Sequence, residues 1–310
     1  GWRAAATACG AGRWLAARDV CSGVALYRWA RFQGCPWPAE DCMGVAAGAG
    51  ALEVLQLGQQ LGVPQDSQVC RRAAGSGHLA CLRWARQAAG YPWGPWTPAS
   101  AASGGHLDCL AWLHDAGCPW DAQTCIMAAQ GGHLACLTFA HEHGCPWDTR
   151  ACKVAARNGH LKVLQYARMA GCPWDTATCV AAAAGGHLDV LRWAVSSGCP
   201  LRVDAVAAAA AGGHLPVLRW AVGDMGVPWG DMAAPLAALG GHLPVLGWAL
   251  SSGCPAGPLT CAFAARGGHL EALIWLRSAG VEWDSSTREA AAAEGHAEVL
   301  AWAEAHGCPA

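Results

Sequence analysis

A short motif, Gly-His-Leu, recurs along this chain at a nearly constant spacing. Successive histidines of the motif, called the turn histidines here, are 27 residues apart, except for two steps of 28 residues that end at His106 and His242. Eight complete copies begin at Gly77, Gly105, Gly132, Gly159, Gly186, Gly213, Gly241 and Gly268, and a variant follows at Gly295-His296-Ala297. A fixed period of about 20–50 residues is typical of solenoids, propellers and other repeat arrays, so this spacing constrains the fold more than any other feature.

Each repeat unit contains two short runs with helical patterning. In the copy anchored at His133, the first run ends at Gly131-Gly132, a helix stop, and the second extends from about Leu134 to Glu142. The second run places Leu134, Leu137 and Phe139 or Ala140 on one face. Helices of this length are marginal in water by themselves, so we predict that each helix pair is stabilised by packing on its neighbours.

The segments that flank the helices also follow a pattern. An Asp before the first run can accept a free backbone N–H of the first helical turn, which predicts N-caps at Asp121, Asp148, Asp175, Asp231 and Asp284. A Gly-Cys-Pro-Trp loop follows the second run in many copies. The stretch Tyr91–Pro98 has three prolines and two tryptophans but no capping Asp, and we interpret it as a rigid connector, with a bend or a partner-facing corner as the alternatives.

Composition limits the classes of function. The chain has 310 residues and a net charge of −2, which gives no electrostatic reason to expect nucleic acid in a basic groove. No apolar run approaches the ~20 residues of a membrane helix, so no membrane insertion is expected. Charged residues are 14% of the chain, against about 25% in average proteins. Either alanine and glycine cover much of the surface, or partners do.

The 18 cysteines fall mainly into two repeat positions. The loop class comprises Cys35, Cys118, Cys145, Cys172, Cys199, Cys254 and Cys308, and the first-helix class comprises Cys42, Cys70, Cys125, Cys152, Cys179 and Cys261. Neither class forms the close Cys pairs of zinc sites, and other copies carry Val206, Ala234 or Pro98 instead, so we predict no metal. A disulfide framework would show more varied spacing. We favour small, buried, reduced thiols, which implies an intracellular reducing compartment, cytoplasm or organelle interior.

The histidines and tryptophans repeat in the same way. Nine copies of one histidine indicate one structural role, hydrogen bonding of turn backbone within or between repeats. The 18 tryptophans lie mainly in second helices and loops, and we predict that they form core between repeats, so that Trp193→Ala should cost about 3–5 kcal/mol. No set of catalytic residue types occurs once only, as an active site requires, so neither an enzyme nor a cofactor is expected.

The consensus Asp-x-x-Thr-Cys-x-x-Ala-Ala-x-Gly-Gly-His-Leu-x-x-Leu-x-Trp-Ala-x-x-x-Gly-Cys-Pro-Trp resembles the ankyrin repeat in its Ala-Ala, its Gly-His-Leu turn and its Gly before the loop. The resemblance covers roughly residue 20 to the C-terminus. Ankyrin repeats have about 33 residues, so the projecting finger of that family is expected to be missing here. The resemblance implies an all-α, ankyrin-like α-solenoid of about 10–11 helix-turn-helix repeats. We expect a single domain over residues 1–310, with degenerate capping repeats in 1–50, regular repeats in 51–295 and an incomplete last repeat in 296–310.

The resemblance also implies a non-enzymatic protein–protein interaction scaffold. First helices line the concave face of ankyrin-like stacks, and non-repeating residues there are expected to bind the partner: Arg72, Met127, Gln130, Val154, Arg157, Asn158, Phe263, Arg266 and Glu294. Between about 180 and 213 these positions are nearly all Ala or Gly, which would let a partner approach closely. The low charge favours a subunit of a larger assembly. The alternatives are a free, transient adaptor and an RNA-associated helical repeat protein.

Overall fold

A computed structural model describes Ala25, Arg28 and residues 39–63 and 67–309. These residues contain twenty α-helices and no strand. In chain order the helices are α1 Ala39–Gly48, α2 Leu52–Gln60, α3 Ser67–Gly75, α4 Leu79–Gln87, α5 Trp96–Gly104, α6 Leu107–Asp115, α7 Ala122–Gly131, α8 Leu134–Glu142, α9 Thr149–Arg157, α10 Leu161–Met169, α11 Thr176–Ala184, α12 Leu188–Ser196, α13 Val203–Ala211, α14 Leu215–Leu218, α15 Ala233–Leu239, α16 Leu243–Ser251, α17 Pro258–Arg266, α18 Leu270–Ser278, α19 Ser285–Ala293 and α20 Ala297–Ala305. The expected degenerate copies before residue 38 lie outside the described residues, apart from Ala25 and Arg28.

The helices alternate between two roles in the repeat. Odd-numbered helices are the first helices and even-numbered helices the second helices, and a turn joins the two members of each of the ten pairs in the described ranges. The connection from α8 to α9 holds six residues and no strand, so this copy has no ankyrin finger. The all-α, ankyrin-like helical repeat fold predicted from the sequence is confirmed by these pairs.

The chain divides into two compact units. One comprises Gly1–Ala151 with Gln165–Cys172, and the other comprises Cys152–Leu164 with Pro173–Ala310. Within the first unit, α1, α3, α5 and α7 pack side by side in that order, and within the second unit α11, α13, α15, α17 and α19 do the same. Apart from α9, each first helix also packs on its own second helix, which gives each unit a repeating two-layer core. The single repeat domain over residues 1–310 stays a prediction.

Turn histidines join their own repeat to the one before it. In five copies the ring Nε2–H donates to a backbone carbonyl 30 or 31 residues earlier, at 2.9–3.2 Å: His78 to Gly48, His133 to Ser103, His214 to Ala184, His242 to Ala211 and His296 to Arg266. Because a carbonyl only accepts, Nε2 must carry the proton in these contacts. The predicted structural role of the turn histidine is confirmed in these copies.

In most copies, the glycine before the turn histidine is required for two reasons. Gly186, for example, has φ of +75°, the left-handed region that side chains with a Cβ rarely adopt. A Cβ at this position would also lie 2.5 Å from Nδ1 of His214 in the next repeat. The Gly-His pair therefore encodes a tight turn and an interlocking contact between repeats.

The core consists of aliphatic residues rather than tryptophan. The leucine four residues after each of eight turn histidines is fully buried: Leu82, Leu110, Leu137, Leu164, Leu191, Leu218, Leu246 and Leu273. Paired alanines near the ends of the first helices, such as Ala182 and Ala183, are fully buried as well. Of the residues predicted to share one face of the second helix, Leu137 and Ala140 are buried together with Cys136, whereas Leu134 and Phe139 are half-buried.

Most tryptophans lie at the edge of the core. The prediction of a buried tryptophan ladder is wrong for the described residues, because Trp220 and Trp229 are buried whereas most others are half-buried. Loop and second-helix tryptophans pair instead, with ring centroids 5.1–5.8 Å apart, in Trp93–Trp112, Trp174–Trp193, Trp229–Trp248 and Trp283–Trp302. These pairs hold the loop against a second helix.

Capping and thiol contacts organise the loops. The Asp carboxylate accepts the N–H two residues later at 2.9–3.0 Å for Asp121, Asp148, Asp175 and Asp284. The loop thiols of Cys145, Cys172, Cys199 and Cys308 then donate to the backbone carbonyls of these same aspartates at 3.2–3.4 Å. The predicted cap at Asp231 is wrong, because α15 begins only at Ala233 with Met232 at its N-cap. Asp231 lies 11 residues before its turn histidine, whereas Asp121 lies 12 before His133.

The two 28-residue steps carry their extra residue at the end of a second helix. After α14, Arg219–Asp224 forms a π-helix, the usual result of inserting one residue into an α-helix. The next loop then begins with an N–H of Val227 that donates to Ala221, six residues back. Tyr91 and Ala85 make the same six-residue contact in the other long copy, whereas Cys118 and Leu113 in a regular copy are five residues apart.

Candidate protein-binding face

The expected partner-binding residues lie at three positions of the repeat. Arg72, Met127, Val154 and Phe263 come six residues before a turn histidine, Gln130, Arg157 and Arg266 three residues before, and Asn158 and Glu294 two residues before. We call the solvent-facing side of the odd-numbered helices that carries these positions the first-helix face. The residues at the sixth position are half-buried, and those at the third and second positions are exposed. The nine residues are therefore accessible side chains, as a binding face requires.

In the first unit, Arg72 lies in a groove between α1, α3 and α5. The groove has a volume of about 390 Å³ and small walls, which include Gly44, Gly48, Gly75 and Ser100. The Arg72 side chain crosses α1 closely, because a Cβ at Gly44 would lie 3.1 Å from its Cδ. Met127 and Gln130 lie on α7.

In the second unit, the structure brings together three of the expected residues. Phe263, Arg266 and Glu294 line one groove between α17 and α19, with a volume of about 370 Å³. Arg266 and Glu294 form an ion pair across it at 3.3 Å, with side-chain exposures of 58% and 46%. Val154, Arg157 and Asn158 lie at the end of α9, where the Asn158 side chain donates to the Val154 carbonyl at 2.9 Å. These three do not line that groove.

Two leucines extend the apolar part of the first-helix face in the second unit. Leu236 and Leu239 on α15 are half-buried, and α15 packs directly against α17, which carries Phe263. The sequence analysis missed them, although they occupy the sixth and third positions before His242. Aligning this copy on His242 would have identified both leucines from the sequence. The corresponding residues of α13 are Ala208 and Ala211, so the leucines and Phe263 project beyond a surface of small side chains.

The loop edge of the repeats carries a second set of exposed side chains. In the proline-rich stretch, Tyr91 is buried, Trp93 stacks on the Arg86 guanidinium at 4.4 Å, and Trp96 is 57% exposed. Trp96, Met232 and Leu259 occupy one repeat position, two residues after a glycine that replaces the capping Asp. The contacts of Tyr91 and Trp93 fit a rigid connector, and Trp96 is the exposed corner of that connector.

Burial makes several of the cysteine thiols unsuited to nucleophilic chemistry. All fifteen cysteines in the described ranges are buried thiols, as predicted, and none of them forms a disulfide. Burial raises the pKa of the Cys70 and Cys261 thiols to about 11 and that of Cys118 to about 12. A hydrogen bond with its neighbour Cys145, together with burial, also raises the pKa of Cys125. Thiols with such pKa values stay protonated at neutral pH, whereas the thiolate is the reactive form.

Neither a metal cluster nor a membrane helix is present in the residues that the structure describes. No group of three or more His, Cys, Asp or Glu side chains in these ranges could hold a metal ion. None of the described helices is long and apolar enough to cross a membrane.

The chain was compared with family models, curated proteins and solved structures. No family model matches the chain, and no curated protein matches it. Among solved structures, the ankyrin repeat domain of human ASB11 aligns with 60% of this chain and 99% of its own length, at 20% identity and a TM-score of 0.47. The fold assignment rests on the ten helix pairs and their shared turn geometry.

Proposed function

We propose that this chain is a non-enzymatic protein-interaction scaffold, which binds its partner through the first-helix face and is a structural subunit of a larger assembly. The observation that carries the proposal is the groove between α17 and α19, where three non-repeating residues, Phe263, Arg266 and Glu294, meet on a floor of alanines. Residues that repeat are explained by packing, as the turn histidines are. Phe263 and the Arg266–Glu294 ion pair do not recur in every copy, so packing of the repeat does not explain them. Contact with a partner is the simpler explanation.

The composition supports a subunit that is covered by other chains. Charged residues make up 14% of the protein, and half-buried apolar side chains such as Leu236, Leu239 and Phe263 lie together on one face. Interfaces of permanent assemblies are more apolar than ordinary protein surfaces. The fifteen buried thiols, none of which forms a disulfide, support an intracellular reducing compartment as the place where the protein acts.

The structural roles of the histidines and cysteines support a non-enzymatic function. The turn histidines with a described hydrogen bond all make one structural contact, and the described cysteines are buried. Catalysis requires a local departure from the repeat, with a nucleophile, base or metal poised at a single place. In the described ranges the departures on the first-helix face are apolar groups, arginines, amides and surface ion pairs instead.

The test is affinity capture from the source organism, with partners identified and quantified by mass spectrometry. Phe263→Ser removes the apolar group of the first-helix face, and Ile274→Ser is the matched control, because Ile274 is 41% exposed on α18, a second helix. We expect stoichiometric partners that survive nuclease treatment, and at least a fivefold loss of those partners with Phe263→Ser but not with Ile274→Ser. Thermal unfolding of both variants checks that the fold is retained.

The other outcomes separate the alternatives. Equal loss of partners with both variants, or with neither, would refute the first-helix face as the binding surface. Partners that dissociate at moderate salt would identify a transient adaptor rather than a built-in subunit. Partners lost after nuclease treatment would instead support the RNA-associated role, whose binding should weaken steeply with salt.

A further inference from the structure

We infer that the groove between α17 and α19 binds a basic peptide segment that carries one large apolar side chain. The inference rests on the proposed function and narrows it, because it names the chemistry of the partner at one place on the first-helix face. The groove has apolar and acidic parts that lie side by side, and each part selects a different group on the partner.

The apolar part accommodates a side chain. Its floor is made of the small residues Ala262, Ala290 and Ala293, and Phe263 forms a wall. The volume of about 370 Å³ lies in the lower range of ligand pockets. A half-buried aromatic ring beside an alanine floor accepts an aliphatic or aromatic group, and its face also attracts a guanidinium or ammonium ion.

The acidic part contains two carboxylates but only one arginine. Arg266 is neutralised by Glu294, at 3.3 Å. Glu289 lines the same groove and is exposed, and it takes part in none of the three ion pairs found in the described ranges. The groove therefore carries one net negative charge, which lies beside the Ala290 floor.

The neighbouring arginines are already engaged. Arg288 pairs with Glu304 at 2.9 Å. The Arg277 guanidinium lies 4.4 Å from the Trp283 ring centroid and donates to the Val281 carbonyl at 2.5 Å. No free arginine of residues 258–305 is thus left to neutralise Glu289.

The surface around the groove is also negatively charged. Residues 258–305 contain seven acidic residues and three arginines, a net charge of −4, although the whole chain carries only −2. A charged surface raises the association rate of partners with the opposite charge and repels partners with the same charge. The groove in the first unit differs, since Arg71 and Arg72 line it. Charge complementarity therefore assigns a basic segment to the groove between α17 and α19 in particular.

The experiment is selection of a phage-displayed library of random 12-residue peptides on the full chain. Affinities of the enriched peptides are then measured by fluorescence anisotropy on three proteins: the wild type, Glu289→Lys and Glu271→Lys. Glu271→Lys is the matched control, because Glu271 is an exposed carboxylate on α18 and does not line the groove. We expect enriched peptides with at least two Lys or Arg residues and one large apolar residue. Their Kd should rise at least tenfold on Glu289→Lys and stay within twofold on Glu271→Lys.

Several results would overturn the inference: no enrichment, enrichment of acidic or uncharged peptides, or equal affinity for wild type and Glu289→Lys. Failure here is distinguishable from failure of the proposed function. If Phe263→Ser abolishes capture of the natural partners while Glu289→Lys leaves peptide binding unchanged, the scaffold role survives and the charge assignment is wrong. If neither variant affects either kind of binding, both proposals fail.

Discussion

The turn histidine and the glycine of the preceding repeat form one interlocking contact. The His214 ring donates to the Ala184 carbonyl at 3.0 Å, and its Nδ1 side covers Gly186, whose φ is +75°. The contact links residues one repeat apart, so it stabilises the stacking of helix pairs as well as the turn. All nine motif glycines have a positive φ, and in seven copies an added Cβ would also meet the turn histidine of the next repeat.

A double-mutant cycle tests this contact. Gly198→Ala measures backbone strain by itself, because Gly198 has φ of +88° and a Cβ added there would meet no atom within 4 Å. That strain should cost about 1–2 kcal/mol. Gly186→Ala should cost at least about 1 kcal/mol more than Gly198→Ala, since a clash of this kind resembles overpacking. In the His214→Ala background the two alanine substitutions should become equal in urea denaturation. An unchanged difference would show that the ring does not cause the excess.

The core leucines should matter more than the second-helix tryptophans. Leu191 is fully buried, so Leu191→Ala should lower the free energy of unfolding by about 2–5 kcal/mol. Trp193 is half-buried and packs edge-to-face on Trp174, so Trp193→Ala should cost less than Leu191→Ala. Chemical denaturation of the two variants, which lie two residues apart on α12, gives the comparison. A larger loss of unfolding free energy for Trp193→Ala than for Leu191→Ala would contradict the placement of tryptophan at the edge of the core.

At the scale of the element, the second helices absorb irregularity while the first helices keep their register. The π-helix Arg219–Asp224 holds the extra residue of one long repeat. The first helices on either side, α13 and α15, still pack side by side. A bulge at the end of a second helix disturbs little, because the residues that close it, 223–226, are exposed.

Deleting the extra residue should therefore be tolerated. Gly223 is an exposed residue of the π-helix, and its removal restores a 27-residue step and a regular α-helix. We expect the Gly223 deletion to be within about 1 kcal/mol of the wild type or more stable, because glycine is unfavourable in helices by about that amount. Deletion of Ser197, at the same end of a regular copy, should destabilise the protein clearly more. Equal thermal shifts for both deletions would contradict this account.

At the scale of the whole molecule, buried thiols contribute a common pH dependence. Burial raises the pKa of Cys81 and Cys136 to about 11 and that of Cys109 to about 12, from an ordinary value of 9.0. Above about pH 9 the unfolded chain therefore binds fewer protons than the folded chain. The free energy of unfolding must then fall as the pH rises towards the raised pKa values, by up to about 1.4 kcal/mol per pH unit for each thiol. Near neutral pH these thiols contribute no such slope.

A variant built from the protein's own repeats tests this dependence. Cys81, Cys109 and Cys136 lie on α4, α6 and α8, and the same repeat position holds Val163, Val190 and Val217 in later copies. The triple change to valine should keep the fold and reduce the loss of stability between about pH 9 and pH 11, measured by urea denaturation with a reducing agent. Identical pH profiles for the triple variant and the wild type would exclude these thiols as the cause.

The sequence by itself determined the features that depend on local chemistry and repetition. The 27-residue period, the helix pairs, the capping role of Asp121, Asp175 and their equivalents, and the buried state of the described cysteines all follow from residue types at fixed spacing. Such features depend on residues within one or two helical turns of each other, or are evident because the same pattern recurs in nine copies. The positions of the first-helix face followed from the repeat alignment in the same way.

The tertiary structure decided what depends on the lateral packing of helices about one repeat apart. It selected leucine rather than tryptophan for the core, because the leucines point between the layers whereas the tryptophans pair at the edge. It gave the turn histidine its carbonyl partner 30 residues away. It also brought Phe263, Arg266 and Glu294 into one groove. No local pattern encodes these contacts, because each requires two repeats to be in register, and the spacing along the chain does not show which side chains then meet.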